Sequence, residues 1–387
     1  MSLFNFVKET TILKEQSLNP IKPCTFYLES KGVECTAAVK KEDLVEMGQV
    51  LGKEKGDLSI PLLSSVKGRV IEVKEVYNTE GKKVKAIVVE PEESDQINNE
   101  EVDLNNLNKE EVLSMIQSFG LNDENGVPLS IKYRAFSGNK LLIKRFSSEP
   151  NLAYYDILQS KQNEINKALE VLKKVFESIE IIDVNSKSVS NKTIELKREQ
   201  LVKKICGDNT QNENVLIEDL LTLVYIGECF LTSTPHLYEY VTVTGKAVNG
   251  NLLLRVKLGT SLSEIYENLG GNLESLGKVI VGGSFRGIPQ YNIDTAVSNN
   301  MRGIIFLDAK EASKSIESPC IRCAKCLRAC PEGLNPIKLM ELWERGEKEE
   351  FIKFGGNKCI ECGLCSYVCP SKIEVANKIV TAKKFIK

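Results

Sequence analysis

The chain has 387 residues, 42% of them apolar, and its 51 basic and 53 acidic side chains nearly cancel to a formal charge of −2. That balance supplies no field to hold a nucleic acid or an anionic membrane, while the apolar fraction suits a globular protein of two to four compact units. No run of about eighteen apolar residues is present. The nearest, Asp219 to Leu231, carries Asp219 and Glu228 and is too short to span a bilayer, so membrane contact is expected only through partners. The N-terminus, Met1-Ser2-Leu3-Phe4-Asn5-Phe6, lacks the basic start, apolar centre and small-residue cleavage site of a signal peptide. A cytoplasmic location is expected, at most peripheral at the inner face of the membrane.

Taken in chain order, short β-rich stretches punctuated by glycine come first, at Thr36–Val39, Gly48–Leu51, Ser59–Leu63, Gly68–Val73 and Lys85–Val89. They predict a small sandwich or barrel. An acidic, asparagine-rich linker from Glu92 to Asn106 follows, then a short helix capped by Asn108 and ending at Gly120. A β–α–β pattern is predicted next, with strands over Lys140–Phe146 and Ile179–Val184. The helix between them, Asp156–Glu177, carries Ile165, Leu169, Leu172 and Phe176 on one face. More helix is expected over Lys197–Cys206 and Val215–Cys229. From Tyr240 to Asp308 a second β-rich unit begins with Val241-Thr242-Val243-Thr244-Gly245 and reaches Val279-Ile280-Val281-Gly282-Gly283-Ser284, the size of a β-grasp.

Twelve cysteines in a reducing compartment stay available for metals, and eight of them fall in the last 70 residues. Cys320, Cys323, Cys326 and Cys330 precede Pro331, and Cys359, Cys362, Cys365 and Cys369 precede Pro370. Both quartets read C-x-x-C-x-x-C-x-x-x-C-P. Three thiolates at successive i+3 positions wrap one cubane, and the fourth, turned away by proline, reaches the neighbouring one. Two [4Fe–4S] clusters are therefore expected: cluster A on Cys320, Cys323, Cys326 and Cys369, and cluster B on Cys359, Cys362, Cys365 and Cys330. Zinc is the weaker reading, because zinc knuckles need only paired C-x-x-C arms. Between the quartets, Asn335 and Pro336 start a helix whose apolar positions include Ile337, Leu339, Met340, Leu342 and Trp343, which favours a helical dicluster domain.

Two glycine-punctuated turns, Val39 to Gln49 and Ile60 to Val70, resemble those of lipoyl- and biotinyl-type barrel-sandwich hybrids, but Lys53 and Lys55 lack the context of a swinging-arm lysine. The order barrel sandwich, α/β core, β-grasp and dicluster ferredoxin resembles the C subunit of Rnf electron-transport complexes. Cys320-Ile321-Arg322-Cys323, Cys359-Ile360-Glu361-Cys362-Gly363 and Tyr367-Val368-Cys369-Pro370-Ser371 are close to that family's cluster signatures. Val241-Thr242-Val243-Thr244-Gly245 and Gly282-Gly283 are similar to its soluble-ligand-binding module. The same architecture occurs in the proline-reductase-associated electron-transfer protein and in a cobalamin reductase of propanediol microcompartments. The resemblance implies an α+β multidomain fold: barrel-sandwich hybrid over 1–92, Rossmann-like α/β core over 107–235, β-grasp over 236–310 and dicluster ferredoxin over 311–387.

Members of this group generally hold FMN on a loop of the type Gly-Leu-Gly-Gly-Ala-Gly-Phe-Pro, where backbone amides approach the phosphate. Here the stretch is Gly120-Leu121-Asn122-Asp123-Glu124-Asn125-Gly126-Val127-Pro128, and Asp123 and Glu124 are expected to repel an anion at a cost of several kcal/mol. The family's Glu-Cys-Glu-Pro survives only as Ser147-Ser148-Glu149-Pro150, and its later glycine-rich motif at best as Lys197-Arg198-Glu199-Gln200-Leu201. The core is expected to keep its fold without FMN and so to lose direct NADH oxidation, since a hydride pair needs a flavin to reach one-electron clusters.

No catalytic residue is assigned. His236, the one histidine, has no neighbouring carboxylate or cysteine motif in sequence, and Cys24, Cys35, Cys206 and Cys229 lack ligand spacing. Arg322, Lys325 and Arg328 form either a solvated face or a dock for an acidic partner such as ferredoxin or flavodoxin. Arg322 and Lys325 beside cluster A, against Glu361 beside cluster B, predict electrons running from B to A. The sequence reading is thus a one-electron relay between a redox partner and a downstream reductase or Rnf-like complex. The alternatives are an FMN-containing NADH dehydrogenase component and a structural adaptor.

Overall fold

Alternating apolar and polar residues shape the N-terminal strands, because successive side chains of a strand face opposite sides. In a computed structural model, Leu44–Val45, Gly68–Tyr77, Lys83–Pro91 and Cys24–Tyr27 form one antiparallel sheet. Glu29–Ser30, Val33–Ala37, Val50–Glu54 and Pro61–Leu63 form a second. Residues 13–30, 33–54, 60–92, 100–145, 149, 160–182, 215–248, 250–312 and 316–386 are described, and every structural statement concerns these. Phe26, Leu51, Val70 and Ile87 are buried in the sandwich. Gly68 permits the strands to close, since a Cβ there would lie 2.0 Å from the Glu90 carbonyl oxygen.

The helix Lys109–Ser118 begins where the sequence predicts, with a reciprocal capping box between Asn108 and Glu111. Lys140–Lys144 is the central strand of a parallel sheet, flanked by Ser178–Ile182 and Val215–Asp219. The predicted β–α–β helix spans Gln162–Lys173 in the described residues, with Ile165 and Leu172 buried. It packs on the helix Leu220–Thr232 so tightly that a Cβ at Gly227 would lie 1.9 Å from the Glu164 carbonyl oxygen. One expectation is corrected here: Val215–Cys229 is not a single helix. Val215–Asp219 is a strand and Asp219 then caps the helix, accepting from Thr222 N at 3.1 Å. The helix expected over Lys197–Cys206 lies outside the described residues.

A six-stranded mixed sheet runs in the order Leu13–Leu18, Leu252–Lys257, Tyr238–Thr244, Gly303–Asp308, Leu276–Val281, Ile288–Pro289. Its first strand comes from the far N-terminus and pairs in parallel with Leu252–Lys257. Phe26, Val70 and Ile87 of the barrel sandwich share one continuous core with Val241, Leu254 and Phe306. The C-terminal unit is helical. Pro336–Glu344 is capped by Asn335, which accepts from Lys338 N at 3.2 Å, and Trp343 stacks on Phe385 of Val375–Ile386 at 6.0 Å between centroids. Among the described residues, no helix is long and apolar enough to cross a membrane.

Candidate metal-cluster site

Each cysteine quartet begins in a loop whose backbone twice adopts left-handed angles. Arg322 (φ 52°) and Ala324 (φ 57°) in the first are matched, 39 positions on, by Glu361 (φ 59°) and Gly363 (φ 76°) in the second. These turns aim backbone N–H groups inward, as an anion-binding concavity requires. Arg322 N lies 3.4 Å from Cys320 Sγ, and Glu361 N lies 3.4 Å from Cys359 Sγ. A short helix follows in each case, Lys325–Ala329 carrying Cys326 and Leu364–Tyr367 carrying Cys365.

Cys320, Cys323 and Cys326 line a cavity of about 150 Å³ together with Cys369 of the second quartet. Cys359, Cys362 and Cys365 line a narrower one, about 20 Å³, together with Cys330 of the first. Ile337, Ile373 and Val375 wall the first cavity, and Leu334, Leu339 and Ile379 the second. Four soft donors around an apolar hollow, with one amide directed at a sulfur in each, fit a cubane cluster. The surroundings differ. Cys320 is exposed, whereas Cys362 and Cys365 are 8% and 9% exposed. Burial raises the thiols of Cys326, Cys359 and Cys362, and that of Cys365 to about 12, a preference that bound metal overrides by displacing the proton.

Charges that the sequence could not pair become paired here. Glu361 is held by Lys383 Nζ at 2.5 Å, and the same ammonium donates to the Cys359 carbonyl at 2.7 Å. Arg328 donates to the Cys323 carbonyl at 3.1 Å. Glu149, which in sequence is only a remnant of a motif, accepts from Phe285 N at 2.9 Å and Arg286 N at 3.0 Å, in a loop packed against the second quartet. Sequence reasoning missed Arg286 and Lys383; Gly282-Gly283 was the one signal pointing at the loop.

The Gly120–Pro128 turn corrects the repulsion argument. Asp123 is 2% exposed and faces inward: its Oδ1 accepts from Asn125 N and Val127 N at 2.8 and 2.9 Å, and its Oδ2 accepts from Lys132 Nζ at 2.6 Å. Lys132 also lies 2.8 Å from the fully buried Glu218, and Glu124 pairs with Lys144 at 2.5 Å. Both acids are therefore charge-compensated and do not stand as free negative charges toward a ligand. Asp123 thus already holds the N–H groups of Asn125 and Val127 and the Lys132 ammonium.

His236 is buried with Glu239 Oε1 3.9 Å from Nε2, so a carboxylate is near after all. Burial lowers its pKa, outweighing that carboxylate, and its ring packs on Tyr225 at 4.3 Å between centroids. Cys24 and Cys229 are buried away from both quartets, Cys35 lies in the barrel sandwich, and Cys206 lies outside the described residues.

Residues 8–94 match the RnfC barrel sandwich hybrid domain, and residues 319–373 match the 4Fe-4S dicluster domain. The chain is 27% identical over 351 residues to the C subunit of the Na+-translocating ferredoxin:NAD+ oxidoreductase complex of Acetobacterium woodii, covering 81% of this chain and 79% of that one. It is 27% identical over 363 residues to the C subunit of an ion-translocating oxidoreductase complex of Rhodobacter capsulatus, covering 84% of this chain and 70% of that one. A chain of an NAD+-reducing [NiFe]-hydrogenase superposes with a TM-score of 0.46 at 12% identity, over 70% of this chain and 60% of its own, a likeness too slight to bear on function.

Proposed function

We propose that this chain, a relative of the C subunits of Rnf complexes, relays single electrons between a redox partner and a downstream reductase or an Rnf-like assembly through two [4Fe–4S] clusters. The observation that carries the reading is the crossed lining of the two cavities, each with three cysteines of one quartet and the fourth of the other. Iron–sulfur cubanes supply one-electron transfer at modest reorganisation. The protein's part is to hold four thiolates, direct Arg322 N and Glu361 N at sulfur, and exclude water with Ile373, Val375, Leu339 and Ile379. Exchange of the fourth ligands keeps the two sites within electron-transfer reach.

The finer architecture belongs to the same proposal. The three-stranded parallel sheet with its helices supports a Rossmann-like core, and the 238–308 strands support a β-grasp of the soluble-ligand-binding type, with the domain limits given above. The occupied Gly120–Pro128 turn supports a core that carries no FMN and no NADH oxidation of its own. Other Rnf-type subunits or an acidic carrier such as ferredoxin or flavodoxin are the partners this reading requires, with Arg322, Lys325 and Arg328 facing them beside exposed Cys320 and Ile321. Metal analysis of anaerobically purified protein tests it. Eight iron and eight sulfide per chain are expected, and a reproducible four of each after reconstitution would refute the two-cluster assignment.

A further inference from the structure

Where the barrel sandwich, the start of the α/β core and the six-stranded sheet meet, a cleft of about 170 Å³ opens that shares no lining residue with the two cysteine cavities. Hydrogen bonds between the units hold its walls in place. Thr25 N donates to the Gly259 carbonyl at 2.9 Å, Gly259 N to the Val297 carbonyl at 2.7 Å and Ala296 N to the Tyr27 hydroxyl at 2.8 Å. On the core side, His236 N donates to the Phe119 carbonyl at 2.9 Å, beside Gly120 in the cleft wall. Glycine is required at 259 (φ 87°), where a Cβ would come within 3.0 Å of the Phe26 ring. The cleft is therefore built by contacts between units rather than left over by poor packing, and junctions of this kind are where small-molecule sites form.

Its lining selects a chemistry. Phe26, Leu62 and Val297 supply apolar surface, and Asn78, Asn122, Asn299 and Asn300 supply amides. Asn122 is 3% exposed, and its Oδ1 and that of Asn299 are enclosed with no hydrogen-bond partner, a cost that a ligand N–H would remove. The charged side chains of the lining are Glu29 and Glu80. Glu80 is exposed and pairs with Lys82 at 2.6 Å, while Glu29 is half-buried and accepts from Asn78 Nδ2 at 2.9 Å. Among the described residues no lysine or arginine lines the cleft, and burial lowers the pKa of His236, which leaves its imidazole neutral at pH 7. An anion would lose its hydration here without meeting a counter-charge. A cavity of about 150 Å³ holds a benzene ring, so the body of a ligand is limited to about one ring. We infer that this cleft binds a small amine, its N–H groups among Asn122, Asn299 and Glu29 and its apolar body on Phe26, Leu62 and Val297. Asp123 and Lys132 do not line it, so the site is separate from the flavin question.

The test is calorimetric titration of anaerobically prepared full-length protein with benzylamine, benzyl alcohol and benzoate, which share a ring and differ in the head group. Benzylamine is expected to bind roughly tenfold or more tightly than benzyl alcohol, and benzoate to give no binding heat. Amide hydrogen exchange with benzylamine present should slow at Leu62, Leu63 and residues 297–300 and stay unchanged around the two quartets. Glu29→Gln keeps an acceptor for Asn78 and removes the charge, and it should weaken benzylamine about tenfold. No binding of benzylamine, equal or tighter binding of benzoate or the alcohol, protection elsewhere in the chain, or an unchanged affinity in Glu29→Gln would each overturn the inference. Should that variant fail to fold, the wild-type comparison of the three compounds decides alone. None of these outcomes depends on iron content, so the two-cluster reading stands or falls separately.

Discussion

Replacing Glu218 by glutamine removes an acid that is fully buried at the end of the central parallel sheet, and the effect should be readable as a change in how stability depends on pH. Complete burial pushes the Glu218 carboxyl from 4.5 up to about 8, and the Asp123 and Asp219 charges push the same way, against the attraction of Lys132. Below about 4.5 the acid is protonated whether the chain is folded or not, and it costs nothing. Between 4.5 and about 8 the unfolded chain sheds a proton that the folded one keeps. Stability therefore falls roughly tenfold in equilibrium constant per pH unit across that window and is lost in full above pH 8, about 5 kcal/mol in all. Glu218→Gln lacks this penalty. Its gain over wild type should be about 2 kcal/mol at pH 6 and approach 5 kcal/mol at pH 9, less the lost pull of Lys132. Opening free energies from amide exchange of Val215–Asp219 and Lys140–Lys144, followed from pH 5 to 9, measure this locally. Parallel pH profiles in wild type and variant would refute the reasoning and mean that Lys132 keeps the carboxylate ionised.

Cys330→Ala should damage cluster B and Cys369→Ala cluster A, because each fourth ligand lines the cavity of the other quartet; EPR of the two variants would contradict this if each lost the cluster of its own quartet. Acid-precipitated protein should release no stoichiometric FMN, and the purified chain should not oxidise NADH, given that Asp123 and Lys132 already occupy the turn where a phosphate would sit. One tightly bound flavin per chain would promote the dehydrogenase reading.

What could be read in the sequence was local. The cysteine spacing, the Asn108 cap and the Asn335 cap all act over a few residues, so their geometry follows from the order of side chains. The Val215–Asp219 strand is missed when Val215, Leu216 and Ile217 are read together with the apolar helix beyond them, although Glu218-Asp219 interrupts the run and Asp219 before Leu220 is an N-cap signal that divides it. Long-range pairings left no local trace. Leu13–Leu18 joins a sheet whose other strands lie more than 200 residues on, and Asp123, read as a repelling surface charge, finds Lys132 nine residues away and through it Glu218. Charge composition counts such groups, but only the fold decides which of them neutralise one another.

The direction of electron flow depends on the same pairing of charges. Neighbouring charges in sequence set Arg322 and Lys325 beside cluster A against Glu361 beside cluster B, and on that basis B should be the stronger reductant. In the folded chain Glu361 is paired with Lys383, which weakens the charge contrast on which that order rested. Arg322 is exposed and screened by water and salt, while Lys325 is half-buried. Burial acts in the opposite sense, since the cysteines of B are the more enclosed and a low-dielectric site disfavours the added negative charge of reduction. Access, unlike potential, is unambiguous. Cys320 and Ile321 are exposed, whereas the Phe285 carbonyl lies against Gly363, between Cys362 and Cys365. On the two-cluster reading proposed above, a soluble carrier is expected to exchange electrons at A, and Cys320 and Ile321 are where a docking partner should protect the chain from solvent.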